Sequence, residues 1–465
     1  MLLLSVVLSI VGCSTRSPES RMGEVADMAP GRWSASKEAR SGVDHHWIAR
    51  FGDSTLNALV EEGLLHNHDL AVAAERVKQA ESTANLAGVN MRPTANANFD
   101  GSRQKRQFIG FPGGGSGVTD SSYGTSVDVT WELDLWGRIR AGQSAEVAAY
   151  QAEGQNYRAA RSSFAAQLAK AWFALAEANE QILLAATEVD VREKTESAIG
   201  DRFELALSQE GGSAAEFRLA QSDTASARAS MERWRGERDR SLREIEVLVG
   251  RYPSGKNLSK AGLPKIPKRP PAGLPSDLLM RRPDILAAER QFAGSGQRLR
   301  EAELAVYPSL TLTGSFGTSS SELADLLKSD AGAWTLGGGV LQPILTGGQI
   351  KNEQALRESV ERQRLVELQK AVLGAFGEVE SALAADTILA RRVDATDKAA
   401  RYGREAAVAA QNDFAEGSGD VLTLLAAQSR RISTASALAT LRRTQLDNRV
   451  NLHLALGGDF QVRKK

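Results

Sequence analysis

The sequence predicts a mainly α-helical chain that also carries transmembrane β-strands and is internally duplicated. Three observations carry that expectation. Two long proline-free stretches, starting near Gly137 and Gly348, read as helices; the first, about seventy residues at 1.5 Å each, would be about 105 Å long. Four segments of about ten residues alternate apolar with polar side chains, the period of a strand with two unlike faces. The order helix, strand, loop, strand, long helical hairpin is also written twice. Ala73-Ala74-Glu75-Arg76 precedes Pro93, and Ala287-Ala288-Glu289-Arg290 precedes Pro308 at nearly the same distance. A repeat of roughly 210 residues is far longer than a solenoid repeat.

Composition removes several function classes. The chain of 465 residues has 57 basic and 57 acidic side chains, so no net field draws it to nucleic acid. The five histidines lack metal-ligand spacing, and His66 and His68 are expected on different faces of one helix. No nucleophile–base pair or phosphate loop is present, and neither an enzyme nor a bound cofactor is expected. The only cysteine, Cys13, excludes an intrachain disulfide and closes the apolar run 1–12. That run is too short to span a bilayer as a helix and has the character of a signal peptide. Ile10-Val11-Gly12-Cys13 resembles a bacterial lipobox, which implies a covalent lipid on Cys13. Ser14, in place of an aspartate that retains lipoproteins in the inner membrane, agrees with outer-membrane delivery.

The elements follow in order. Residues 13–46, rich in Ser, Gly, Arg and Glu, are expected to form an extended lipidated tether. The first repeat, 47–250, opens at Trp47–Phe51 and continues as a helix from Ser54 to about Met91, ended by Arg92-Pro93. Strands are predicted at about 94–107 and 121–135, around a Gly-rich loop. In the second of these, Tyr123, Thr125, Val127, Val129, Trp131, Leu133 and Leu135 share one face. Gly124, Ser126, Asp128, Thr130, Glu132 and Asp134 share the other. An apolar face with terminal aromatics opposite a charged face is the pattern of a transmembrane barrel strand. A helical hairpin over 137–249 turns at Glu210-Gly211-Gly212-Ser213, and a Pro/Lys-rich connection covers 251–275. In the second repeat, 276–458, Leu274-Pro275-Ser276-Asp277 caps a short helix and Pro283 opens the next. Strands follow at about 309–318 and 332–344, with Leu310, Leu312, Phe316, Trp334, Leu336 and Val340 on the apolar face. A second hairpin over 346–456 turns at Glu416-Gly417-Ser418-Gly419-Asp420, and 459–465 form a tail.

Geometry limits what these strands can build. About ten tilted residues cross the hydrocarbon layer, and no sheet edge can face lipid unpaired. Four strands cannot close a barrel, since the small ones need about eight. Several chains must therefore share one barrel; periodicity leaves open whether two, three or four do. Ala165, Ala166, Ala169, Ala174, Ala176 and Ala178 permit close helix packing. Each long helix continues directly from a strand, which suits a conduit across the periplasm and is of no use to a plain coiled coil.

Several separated motifs then resemble one family. They are Leu278-Leu279-Met280-Arg281-Arg282-Pro283-Asp284-Ile285 with Ala288-Glu289, Tyr307-Pro308-Ser309-Leu310-Thr311-Leu312-Thr313-Gly314, Leu133-Asp134-Leu135-Trp136-Gly137-Arg138-Ile139-Arg140, and Leu422-Thr423-Leu424-Leu425-Ala426-Ala427-Gln428. Together, over roughly 47–458, they resemble the TolC/OprM outer-membrane efflux proteins, in the NodT-type lipoprotein branch. The resemblance implies a homotrimer, with a twelve-stranded β-barrel continuous with a long α-helical coiled-coil barrel. It implies a passive outer-membrane exit duct for small molecules, extending into the periplasm. A periplasmic adaptor would join it to an inner-membrane pump, commonly of the resistance–nodulation–division type. Asp420 and Glu416 are expected at the periplasmic constriction. Three Asp420 carboxylates in a ring would favour cations and raise one another's pKa, and Asp420 also suits the N-cap of the last helix. Gly211, Gly212, Gly417 and Gly419 are expected to shape the tip turns where the adaptor touches. Two other readings stand beside this one: a type I protein-secretion duct in the same fold, and a lipid-anchored periplasmic coiled-coil scaffold without a barrel. The transported substrate is not readable.

Overall fold

A computed structural model describes residues 17–35, 47–106, 117–207, 213–256 and 262–458. The signal run, Cys13, the Gly-rich loop at 108–115, Gly211, Gly212 and the tail 459–465 lie outside the described residues. In chain order the main elements are α1 (Ser54–His66), α2 (His68–Val89), β1 (Thr94–Arg106), β2 (Val118–Leu133), α3 (Arg138–Leu207) and α4 (Ala214–Leu248). The second repeat supplies α5 (Pro275–Arg281), α6 (Pro283–Leu304), β3 (Ser309–Ser320), β4 (Gly332–Leu341), α7 (Gln349–Ala415) and α8 (Val421–Ala455). The chain divides into two compact units. One holds the described residues up to Gly23 with Arg76–Gly154 and Ala287–Gln369; the other holds Glu24–Glu75, Gln155–Leu286 and Lys370–Lys465.

In the first unit the strands of both repeats join one antiparallel sheet, in the order β1-β2-β3-β4. The register keeps the two faces separate. Asn96 pairs with Asp128, Asp128 with Ser315 and Ser315 with Thr335, so one polar row crosses all four strands. The adjacent row is Ala97, Val127, Phe316 and Trp334. Phe316, Trp334 and Leu336 are 70%, 72% and 78% exposed, so the apolar face of the sheet is open. Asp128 is fixed on the polar face by the Ser126 and Ser315 hydroxyls, both donating at 2.7 Å.

Asp134 corrects the strand expectation. β2 stops at Leu133, and the Asp134 carboxylate accepts from the Ile139 and Arg140 N–H groups at 3.0 and 2.9 Å. It satisfies two of the orphan donors of α3 instead of extending the polar face, because a carboxylate at a helix N-terminus meets both free N–H groups and the positive end of the dipole.

The second unit holds the larger apolar core. Trp47, Ile48 and Phe51, then Leu56, Leu59 and Val60 of α1, pack with Phe164, Leu168, Trp172 and Phe173 of α3, Ile245 of α4 and Val450 of α8. The alanines of α3 serve as expected: Ala165, Ala166, Ala169, Ala176 and Ala178 are buried, while Ala174 is half-buried. Farther along α3 the contacts turn polar. Buried Arg192 donates to Glu188 (2.7 Å), Asp223 of α4 (2.8 Å) and Ser429 of α8 (2.7 Å), and Glu188 also accepts from Arg431 at 3.0 Å. Such a network fixes one helix register, because any slip leaves buried charges unpaired.

Two further expectations change. The single helix predicted from Ser54 to about Met91 is two helices, broken at Asn67, whose backbone is extended. The Asn67 side chain accepts from Leu70 N at 2.9 Å and so caps α2; apolar periodicity running through both helices hid the break. His66 and His68 accordingly lie on separate helices. Residues 17–35 are also not an extended tether. In the first unit Arg21 lies 3.8 Å from the Phe292 ring centroid, and its N–H donates to Glu289 at 2.7 Å. In the second unit Val25 and Trp33 are buried. The Trp33 indole N–H reaches the Gly273 carbonyl at 3.0 Å, and Glu380 accepts the Ser34 and Ala35 N–H groups at 2.6 and 2.8 Å. A few large side chains dock a segment whose overall composition is polar.

Candidate functional site: the hairpin tip

The turn between α7 and α8 follows from local chemistry. Gly417 adopts φ 80°, the left-handed conformation that lets a helix close with its last carbonyls satisfied. Gly417 N–H donates to Phe414 O at 3.2 Å, and the Ser418 and Gly419 N–H groups both donate to Asp413 O at 2.9 Å. A Cβ at Gly419 would stand 2.9 Å from Phe414 N, so the chain can pass there only without a side chain. Asp420 then starts α8. Its carboxylate accepts the Thr423 N–H at 2.8 Å and the Thr423 hydroxyl at 2.6 Å. These bonds, the hydroxyl first, hold the Asp420 carboxyl below the usual carboxylate range in the isolated chain. That direction is opposite to the one a ring of like charges imposes. The N-cap role is therefore present in one protomer.

The fold places Glu416, Gly417, Gly419 and Asp420 on this one turn, with Glu416 and Asp420 exposed. At the other hairpin, Ser213 caps α4 by accepting Glu216 N–H at 3.3 Å. A small apolar cluster ties the tips together: Ile199 of α3, Ala220 of α4, Phe414 of α7, and Val421, Leu424 and Leu425 of α8. Sequence reasoning missed Arg202. Its guanidinium donates to Phe414 O at 2.7 Å and lies 3.8 Å from the Phe414 ring centroid. It is the polar tie, among the described residues, that carries the first hairpin onto the end of α7. One surface arginine in a charged helix has no local signal to distinguish it.

Among the described residues there is no group of metal-ligating side chains, and no helix is long and apolar enough to cross a membrane. The features that stand out are the two-faced sheet and the long hairpins.

Known proteins share these features. The profile of the family described as "Outer membrane efflux protein" matches residues 59–251 and again 274–458, one match to each repeat. The pyoverdine export outer membrane protein OpmQ of Pseudomonas putida is 28% identical over 99% of this chain and 97% of its own. The cation efflux system protein CusC of Escherichia coli is 25% identical over 98% of both chains. Among solved structures, the outer-membrane channel OprN superimposes with a TM-score of 0.86 at 27% identity, over 96% of this chain and 99% of that one. The open state of the Neisseria gonorrhoeae MtrE outer membrane channel gives 0.80 at 28% identity, over 97% and 99%. A scaffold without a barrel does not fit these findings, and the chain belongs to the outer membrane efflux protein family, as the channel component of an efflux system.

Proposed function

We propose that the mature protein is a homotrimeric, passive exit duct for small molecules and ions, anchored by lipid on Cys13 and completed by a periplasmic adaptor and an inner-membrane pump. One observation carries the oligomeric reading, and the family resemblance sets the number at three: among the described residues β1 and β4 each pair on one side only, while the sheet face bearing Phe316, Trp334 and Leu336 is exposed. Two unpaired edges in lipid cost several kcal/mol per unsatisfied group, so the edges must meet those of other copies. Three copies give twelve strands, within the size range of single barrels. The named cargo of the relatives, pyoverdine and cations, favours small solutes over secreted proteins.

The closed end is assigned to the tip. Asp420 contributes a carboxylate from each chain, Arg202 and Phe414 hold the two hairpins together, and Glu416 with Gly211, Gly212, Gly417 and Gly419 shapes the surface offered to the adaptor. The test is reconstitution of the purified trimer in planar bilayers. Asp420→Ala and Arg202→Ala should each raise single-channel conductance several-fold; unchanged conductance in both removes the gate assignment. A detergent-independent monomer without SDS-resistant oligomers removes the duct itself, and Cys13→Ala should lose palmitate labelling.

A further inference from the structure

Beneath the sheet, the first unit forms an open-mouthed cavity of about 570 Å³ that the tip mechanism does not use. Its walls come from the end of α2, the foot of β1 and β2, the first turns of α3, and α6. The volume lies within the range of small-molecule sites, about 300–1,000 Å³. Thr94, Thr130 and Glu132 line it, and all three belong to the polar face of the sheet, opposite Val129, Trp131 and Leu133. In a closed barrel that face is the interior.

The charges in the cavity are unevenly matched. Arg138 donates to Glu132 at 2.7 Å, a closed pair. Arg298 is shared by two carboxylates, Glu301 at 2.6 Å and Glu146, which leaves one negative charge in excess. Arg92 lines the same cavity, is exposed, and makes no ion pair among the described residues. The site thus holds one uncompensated guanidinium and one uncompensated carboxylate within a single cavity. Gly142 is part of its construction: a Cβ there would stand 2.6 Å from the Glu301 carboxylate and push it out of place.

We propose that this cavity is a wayside binding site in the duct wall for zwitterionic solutes, with the anionic group held at Arg92 and the cationic group at Glu146 and Glu301. Opposite charges on the solute match both imbalances at once, whereas a singly charged solute leaves one of them unmatched. A singly charged or neutral molecule passes the same wall with less hold. The inference rests on the channel reading, because the cavity faces passing solute only if the polar sheet face is the lumen. Zwitterionic phospholipid headgroups share the chemistry, and the position on the polar face assigns the site to solute.

The experiment uses reconstituted trimers of the full mature chain and reads current blockades. The probes are ciprofloxacin, which carries a carboxylate and a protonated amine, and nalidixate, which carries the carboxylate alone. Ciprofloxacin should dwell at least threefold longer than nalidixate. Arg92→Gln should shorten the dwell of both probes threefold or more, and Glu146→Gln that of ciprofloxacin only, with open-pore conductance retained. Equal dwell of the two probes, or dwell indifferent to both substitutions while the pore conducts, overturns the site. Loss of ciprofloxacin blockades on moving from phosphatidylglycerol to phosphatidylethanolamine bilayers reassigns the cavity to lipid and overturns the proposal as well. A wild-type protein that forms no pore overturns the channel reading on which the site depends.

Discussion

The two repeats close their long hairpins at the same place with different chemistry. In the first, α4 ends at Leu248, Val249 caps it and Gly250 turns left-handed at φ 79°. In the second, α8 ends at Ala455, Leu456 caps it and Gly457 turns at φ 72°. Both ends are closed by the same pair of bonds. Gly250 N–H donates to Val247 O and Arg251 N–H to Glu246 O; Gly457 N–H donates to Leu454 O and Gly458 N–H to His453 O. The last carbonyl still needs a donor, and each repeat supplies it from the residue ahead of its second short helix. Asn67 Nδ2 donates to Leu248 O at 2.9 Å. Arg282 Nη1 donates to Ala455 O at 3.2 Å, with the guanidinium also bound to Asp284 (2.7 Å) and Glu378 (2.6 Å). Burial opposes the charge on Arg282, but Asp284 and Glu378 outweigh it and raise its pKa further. Topology thus conserves the demand for a donor and leaves open whether the donor is a neutral amide or a charged cluster.

The difference predicts unequal fragility. Arg282→Ala should be the most damaging change, about 2–4 kcal/mol, because it removes a buried guanidinium bonded to two partly exposed carboxylates and leaves the Ala455 carbonyl unmet. Asn67→Ala should cost less, about 1–3 kcal/mol, the penalty for one buried acceptor left unmet plus a lost cap. Hydrogen exchange over the ends of α4 and α8 measures both; equal protection loss would erase the distinction. At the turns, Gly457→Ala should cost about 1 kcal/mol for a side chain in the left-handed region. Gly250→Ala should cost more, since its Cβ would also lie 2.5 Å from His66 O, where Gly457 has 3.3 Å to its nearest neighbour.

Acid sharpens the comparison at the smallest scale. Burial pushes the Asp284 carboxyl up, but the Arg282 guanidinium bonded to it more than reverses this and holds it below the usual range. A depressed carboxylate stabilises the fold fully above its unfolded pKa of about 3.9, and that contribution is lost as pH falls through the lower folded value. Protection at the end of α8 should therefore weaken below about pH 4. Asn67 does not titrate, so the end of α4 should change less over the same interval.

Much of this was legible in the chain, for reasons that differ by region. The four strands announced themselves because Val127, Val129, Trp131 and their neighbours alternate cleanly with polar residues, and a two-faced sheet needs only that period. The tip turn was legible because Gly417 and Asp420 act on their own neighbours. Asn67 was not, since unbroken apolar periodicity hid its local cap of α2 and its other bond reaches the far end of α4. Arg202, Arg282 and the docked segment around Trp33 were missed for the same reason: each bonds a partner between about 100 and 240 residues away, which no local window contains.

The sequence by itself determined the periods, the punctuation and the duplication, because these depend on side chains three or four positions apart and on residues with special backbone freedom. The tertiary structure alone decided which carbonyls Asn67 and Arg282 serve, and that one carboxylate and one guanidinium remain unmatched within a single cavity. Those outcomes depend on distances between parts of the chain far apart in order, and the free energy of a charge or an orphan carbonyl is set by what surrounds it in space.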